Sequence, residues 1–234
     1  LQHLTGEQEF MGFPFWVNQH VLVPRQDTET LVETVLLAVS PGMRVLDLCT
    51  GSGCIAVSLA KLCPGLMVDA ADISEEALAV AMENAGRLEA DVAFWQGDLF
   101  DCHPVCRSMG AGRGEGSEAR ERGLQAAAYD CIVSNPPYIR TAVIETLSDE
   151  VRLYEPYQAL DGKADGLYFY RRIITEARSY LKPGGHIFFE IGYDQGEAVK
   201  NLLLEDGYTD EEVQQDLAGL DRVVTGCMLS EDKH

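Results

Sequence analysis

The apolar positions of this chain change period repeatedly along its length. Val45-Leu46-Asp47-Leu48 is a short apolar run of strand length that leads into Gly51-Ser52-Gly53, after which Cys54 to Leu62 reads as a helix. Leu66 to Ala71 predicts a second strand, and Ser74 then caps a helix running through Asn84. Glu75 and Glu76 suit the positive N-terminal end of that helix. Val92 to Trp95, Tyr129 to Ser134 and His186 to Ile191 predict three more strands, the last preceded by the turn Lys182-Pro183-Gly184-Gly185. Ahead of this alternation, EFMGFPFWVNQHVLVP (residues 9–24) is aromatic and β-branched around Gly12 and Pro14, which predicts a hairpin. Leu31, Val32, Val35, Leu36 and Val39 then fall at helical spacing between Thr28 and the stop Pro41-Gly42. Strands alternating with helices argue for an α/β fold: a mainly parallel sheet covered on both faces, with its ligand crevice at the carboxyl ends of the strands.

One stretch breaks the pattern. Residues 101–128 include MGAGRGEGSEARERG, rich in Gly and charge and poor in apolar groups, and are expected to be a mobile insertion. The expected organisation is therefore a hairpin and linker over residues 1–26 and one domain over 27–234 that carries this insertion. The start, LQHLTGEQEF, has neither an initiator Met nor the flank and core of a secretion signal, so a preceding segment is expected to have been removed.

Composition narrows the function classes. The 234 residues can bury a full core, and no run of 18 apolar residues suggests a membrane span. Lys and Arg number 18 against 38 Asp and Glu, a net charge of −20 that repels polyphosphate. A protein or small-molecule partner is favoured over direct nucleic-acid binding. The seven cysteines (49, 54, 63, 102, 106, 131 and 227) form no CxxC pair, which fits a reduced, cytoplasmic setting. Cys102, His103 and Cys106 lack a second ligand pair and read as loop residues, so no metal is expected.

Four constellations carry chemistry. In VLDLCTGSG (residues 45–53) a strand runs into a glycine turn and then a helix, which brings backbone N–H groups close to a ligand. Only Gly51 and Gly53 are glycines, so the dinucleotide pattern G-x-G-x-x-G fails. Asp47 before the turn would repel a pyrophosphate but suits the ammonium of an amino-acid tail. Asp72 ends the following strand, where a carboxylate can accept hydrogen bonds from both ribose hydroxyls; Asp69 competes for that role from inside the strand. Gly97-Asp98-Leu99-Phe100 follows the third strand, with Asp98 placed to accept an adenine amino group and Leu99 and Phe100 to cover the ring. Together they describe adenosine joined to an amino-acid tail, as in S-adenosylmethionine.

The remaining constellation is SNPPY, residues 134–138, at the end of the fourth strand. Two prolines end the strand and donate no N–H groups, leaving their carbonyls free to face a ligand. A planar amide-type or amino nitrogen has a delocalised lone pair and is a poor nucleophile. Two acceptors, the Asn135 side-chain oxygen and the Pro136 carbonyl, can grip its two N–H bonds while Tyr138 packs against the flat group. The methyl sits on a sulfonium, already a good leaving group, so alignment and electrostatics are expected to dominate, with no obligatory general base.

VLDLCTGSGCIAVSLA, DISEEALAVAMENA, GDLF and IVSNPPYI, in this order, resemble the HemK/PrmC family of protein N5-glutamine methyltransferases. Similarity continues through residues 5–33, 154–173 and 181–199. The resemblance implies a class I S-adenosylmethionine-dependent (Rossmann-like) methyltransferase domain with a seven-stranded, mainly parallel sheet, its last strand (around Asp221 to Met228) antiparallel. It implies cofactor binding by Cys49, Thr50, Gly51, Ser52, Gly53, Asp72, Leu99 and Asn135, with S-adenosylhomocysteine as product. Asn135, Pro136, Pro137 and Tyr138 would bind the acceptor, the glutamine of the Gly-Gly-Gln motif in peptide chain release factors. A monomer working on that protein partner, away from membranes and nucleic acid, is the expectation. This sequence departs from the family pattern in having Cys49 for the first turn Gly and Gln26 for a Pro after VLVPR, and in lacking the family's helical N-terminal domain. The rival readings are an adenine-N6 methyltransferase, a glutamine methyltransferase of a ribosomal protein, and a cofactor-binding module without catalysis.

Overall fold

The computed structural model describes residues 6–105, 124, 126 and 128–229. The chain opens with a two-stranded antiparallel hairpin, β1 (Glu7–Phe10) and β2 (Phe13–Trp16). Its two-residue turn, Met11-Gly12, is left-handed at both positions (φ 51° and 77°), the twist a tight hairpin needs. Helix α1 (Gln26–Ala38) begins two residues earlier than the apolar spacing indicates, because acidic Asp27 and Glu29 occupy its first turn.

The alternation that follows is β3 (Arg44–Leu48), α2 (Cys54–Leu62), β4 (Met67–Asp72), α3 (Glu75–Arg87), β5 (Val92–Asp98), β6 (Asp101–Pro104) and β7 (Tyr129–Ser134). Three short helices come next, α4 (Thr141–Ile144), α5 (Asp149–Tyr154) and α6 (Tyr157–Leu160). The chain continues with α7 (Tyr168–Ala177), β8 (Leu181–Glu190), α8 (Gly196–Glu205), β9 (Tyr208–Gln215) and β10 (Asp221–Met228). The main sheet has the order β6-β5-β4-β3-β7-β8-β10-β9. Pairings from β5 through β8 are parallel, while β10 pairs antiparallel with both β8 and β9.

The sheet therefore has eight strands, where seven were expected. The added strand is β6, taken from the start of the segment read as a mobile insertion. Gly97 and Leu99 both adopt positive φ (157° and 56°), so the chain reverses tightly and Asp98 pairs with Asp101. Residues 101–104 thus extend the sheet at its edge. Cys106 and the glycine- and arginine-rich part of the insertion lie outside the described residues.

Strand alternation divides the core. Val45, Val68, Ala70, Phe94, Cys131 and Val133 face one side, packed by apolar residues of α1, α2 and α3. Leu46, Leu48, Ala71, Trp95, Ile132 and Phe189 face the other, covered by α7 and α8. From β3 the chain winds outward through β4, β5 and β6, then returns to the other side of β3 to form β7, so the strand order reverses at β3. Such a reversal opens a crevice above the carboxyl ends of the strands. Among the described residues, no helix is long and apolar enough to cross a membrane.

Candidate active site

The turns after β3, β4, β5 and β7 converge on one cavity of about 530 Å³, within the roughly 300–1,000 Å³ typical of small-molecule sites. Cys49, Thr50, Gly51, Ser52, Asp72, Asp98, Leu99, Asn135 and Pro137 all line it. Sequence reasoning therefore brought together most of its wall. Gly53, Pro136 and Tyr138 do not line it, and neither does Asp47.

The glycine turn is left-handed at Cys49, Gly51 and Gly53 (φ 59°, 54° and 79°). Holding a non-glycine residue there costs roughly 1–2 kcal/mol, so Cys49, which stands in place of the family's Gly, is strained. Burial, with Asp72 nearby, pushes its thiol well above the ordinary range. Thr50 N–H donates to the Ala71 carbonyl and Gly51 N–H to Asp72 Oδ2 at 2.9 Å, tying the turn to the next strand.

Asp47 corrects an expectation. Alternation along β3 turns its side chain toward α2, away from the crevice, and it is fully buried. Oδ2 accepts from the Thr50 hydroxyl (2.6 Å) and from Ala56 N–H (3.2 Å), while Oδ1 has no partner. Burial outweighs those two bonds and raises its carboxyl to about 7. Asp47 supports the turn from below and does not face a ligand's ammonium.

Asp72 is placed as the spacing indicated, at the end of β4. Oδ1 accepts from Ser74 N–H and Oδ2 from Gly51 N–H, both at 2.9 Å, so each oxygen retains a lone pair. Burial raises its carboxyl above the usual range. Asp69 drops out of contention, since its oxygens take Trp95 Nε1, Tyr129 OH and Arg44 Nε at 2.7–3.0 Å on the core side. Asp98 reaches the cavity but is engaged by Arg172, whose Nη1 lies 2.9 and 2.8 Å from its two oxygens.

At the fourth strand, Ser134 Oγ donates to the Leu48 carbonyl (2.7 Å), pinning β7 to β3 just before Asn135. Asn135 and Pro137 reach the cavity wall. The Tyr138 ring, expected beside the ligand, instead packs against the hydrophobic cluster that includes Tyr170 and Phe189. Burial and the neighbouring Glu190 push its phenol up out of the physiological range.

Sequence reasoning missed several wall residues. Residues 19–24, from the end of the hairpin, together with Thr28, form one side of the cavity. Pro156, Gln158, Lys163, Tyr168, Phe169 and Arg172 form another. The two sides meet where Val23 N–H donates to Glu155 Oε2 at 3.2 Å. Their signal lay in the similarity of residues 5–33 and 154–173 to the family, because no local pattern sets them apart.

The chain matches the family described as "Methyltransferase domain" over residues 39–225. It is 44% identical to the release factor glutamine methyltransferase of Geobacter sulfurreducens over 97% of this chain and 72% of that one. It is 46% identical to the release factor glutamine methyltransferase of Moorella thermoacetica over 98% of this chain and 74% of that one. Among solved structures it resembles the release factor-specific protein-(glutamine-N5) methyltransferase of Alicyclobacillus acidocaldarius, with 29% identity and a TM-score of 0.50 over 92% of this chain and 99% of that one. The shared architecture is the class I S-adenosylmethionine-dependent methyltransferase fold. With matches of this extent and identity, the chain belongs to the release factor glutamine methyltransferase family.

Proposed function

We propose that the protein transfers a methyl group from S-adenosylmethionine to the side-chain N5 of the glutamine in the Gly-Gly-Gln motif of peptide chain release factors. The observation that carries this reading is a single cavity walled at one side by Thr50, Gly51, Asp72 and Leu99 and at another by Asn135 and Pro137. That wall fits the cofactor's parts. The turn at Ser52, whose N–H is not used by the bonds that hold Thr50, Gly51 and Gly53, suits the amino-acid tail, the free lone pairs of Asp72 suit the ribose hydroxyls, and Leu99 offers apolar cover for the adenine. Asp98 serves the adenine amino group only while sharing its carboxylate with Arg172.

When bound, the cofactor supplies a methyl on a cationic sulfur. The chain's own contribution is to hold the acceptor. The Asn135 side-chain oxygen, on the cavity wall, accepts one amide N–H, and the Pro136 carbonyl, set between the wall residues Asn135 and Pro137 though not itself on the wall, accepts the other as the acceptor enters, which favours a pyramidal nitrogen with an available lone pair. The Val23 N–H bond to Glu155 ties together two sides of the cavity wall, and the net charge of −20 favours a protein acceptor over a nucleic-acid base. The same reading has the enzyme acting as a cytoplasmic monomer on a protein partner, without membrane or direct nucleic-acid contact.

Tritium from labelled S-adenosylmethionine should transfer to a release factor and be lost when its motif Gln is changed to Ala. Label appearing in adenine of DNA or RNA instead would replace this reading with the nucleic-acid one.

A further inference from the structure

The two prolines of the acceptor tetrapeptide create a mechanical problem. Pro136 and Pro137 have no N–H, so they cannot anchor their own backbone by donating hydrogen bonds. Their carbonyls must nonetheless be held still if one of them is to grip a substrate nitrogen. Anchors are therefore needed on both flanks. The leading one is the Ser134 hydroxyl on the Leu48 carbonyl.

The trailing anchor comes from Gln195, in the loop between β8 and α8, and its side chain is buried. Oε1 accepts from Gly192 N–H at 3.0 Å, which fixes the orientation of the amide. Nε2 then donates to the Tyr138 and Gly166 carbonyls, both at 3.2 Å. Three of the four hydrogen-bonding positions of the amide are thus used. Behind Tyr138 the chain zips onto the following loop, with Ile139 N–H on the Leu160 carbonyl and Gly162 N–H on the Ile139 carbonyl. That loop approaches so closely that a Cβ at Gly166 would stand 2.4 Å from the Tyr138 oxygen, and one at Gly162 would stand 2.7 Å from the Tyr138 backbone.

We propose that Gln195 is a positioning residue for methyl transfer: it clamps the Tyr138 carbonyl against the 162–166 loop and so fixes the acceptor carbonyl of Pro136 and the side chain of Asn135. Gln195 does not line the cavity, so it acts through the tetrapeptide and leaves the cofactor's wall alone. The inference rests on the reading that Asn135 and Pro136 hold the acceptor nitrogen.

Two substitutions, one isosteric and one apolar, separate positioning from bulk structure. In Gln195→Glu, an ionised carboxylate places oxygen against two carbonyl oxygens; once protonated, it regains one O–H donor. Gln195→Leu never regains one. With a release factor as acceptor, both variants should lose kcat about 10- to 100-fold at pH 8, the scale of a small misplacement of reacting groups. Their calorimetric affinity for S-adenosylhomocysteine should stay that of the parent protein. As pH falls, the deficit of Gln195→Glu relative to the parent should shrink, while that of Gln195→Leu stays constant. Gly166→Ala pushes on the same carbonyl from the other side and should reproduce the kcat loss even where a Gln195 variant folds poorly. Asn135→Ala, measured alongside, keeps the two ideas apart. If Asn135→Ala slows turnover and the Gln195 and Gly166 variants do not, the clamp is wrong. Parallel pH profiles for the two Gln195 variants, or loss of cofactor affinity matching the loss of kcat, overturn it equally. If Asn135→Ala turns over at the parent rate, the acceptor reading and the clamp fall together.

Discussion

Asp47→Asn tests the physics of the glycine turn directly. In the folded protein the Asp47 carboxyl is raised from its ordinary 3.8 to about 7, chiefly by burial, and the hydrogen bonds from Thr50 and Ala56 offset this only in part. Between those two values the folded protein keeps a proton that the unfolded chain has released. Stability therefore falls as pH rises through this window, by up to about 1.4 kcal/mol per pH unit for one proton. Over about three units the sum is roughly 4 kcal/mol. An Asn at 47 keeps an oxygen for Thr50 and Ala56 and never ionises, but it aims an NH₂ where Oδ1 now has no partner. That unpaired donor costs about 1–3 kcal/mol, so the variant should be the more stable protein above pH 7 by about 1–3 kcal/mol. Glu190, also raised to about 7 by burial, adds its own slope, but it is common to both proteins and cancels in the difference. Asp161 and Asp165 are held below the carboxylate range by Thr141, Lys163 and Arg171, so they act only in more acid solution. The assay is urea unfolding of both proteins at pH 5, 6, 7 and 8 without cofactor. Two stability curves that run parallel across this range would refute the argument.

Individual contacts carry further predictions. Asn135→Ala should lower kcat by roughly 2–4 kcal/mol of transition-state stabilisation, whereas Asp72→Ala should mainly weaken cofactor binding in calorimetry. Equal effects of the two on binding alone would undo that division of roles. Asn84→Ala removes bonds to Trp16 N–H, the Trp16 carbonyl and the Ser52 carbonyl. It should cost about 2–4 kcal/mol and speed amide exchange in β1 and β2 before the main sheet. Asp69→Ala removes the acceptor shared by Arg44 Nε, the Tyr129 hydroxyl and the Trp95 indole, the last two deep in the core, and should lower stability by about 3–5 kcal/mol with an unchanged urea m-value.

Much of the fold was legible because its strands are short apolar runs with distinct punctuation. Strand Tyr129–Ser134 and helix Cys54–Leu62 have the bounds the sequence indicated, and Asp221–Met228 is the last strand that the family resemblance implied. β6 was not legible, since four residues, Asp101-Cys102-His103-Pro104, are too short a run to stand out at the head of a polar segment; it exists because Gly97 and Leu99 can turn the chain back on itself. In the site, residues that end strands could be placed from sequence, because a parallel sheet delivers its strand ends to one crevice. Which way a side chain points at that end was harder. Asp47 and Asp72 are both acidic and both near a glycine turn, yet alternation buries one under α2 and leaves the other on the cavity wall. Tyr138 follows the prolines into the core for a similar reason. Arg172 and Gln195 are brought in from distant segments, and only the sheet order places them beside Asp98 and Tyr138.

The buried polar groups around the cavity share a purpose that their energetics make clear. Asp47, Asn84 and Gln195 are all nearly inaccessible, and burying such groups costs free energy that apolar residues would not. Each is attached to, or stands beside, backbone that no ladder can hold. Asp47 grips the turn at Thr50, Asn84 joins the hairpin to Ser52, and Gln195 secures the far side of a donorless pair of prolines. Turns that must present bare N–H and C=O groups to a ligand cannot also satisfy those groups internally. Rigidity there has to be supplied from behind by side chains, which is why replacing the supports is expected to alter rate and pH response more than it alters the cavity itself.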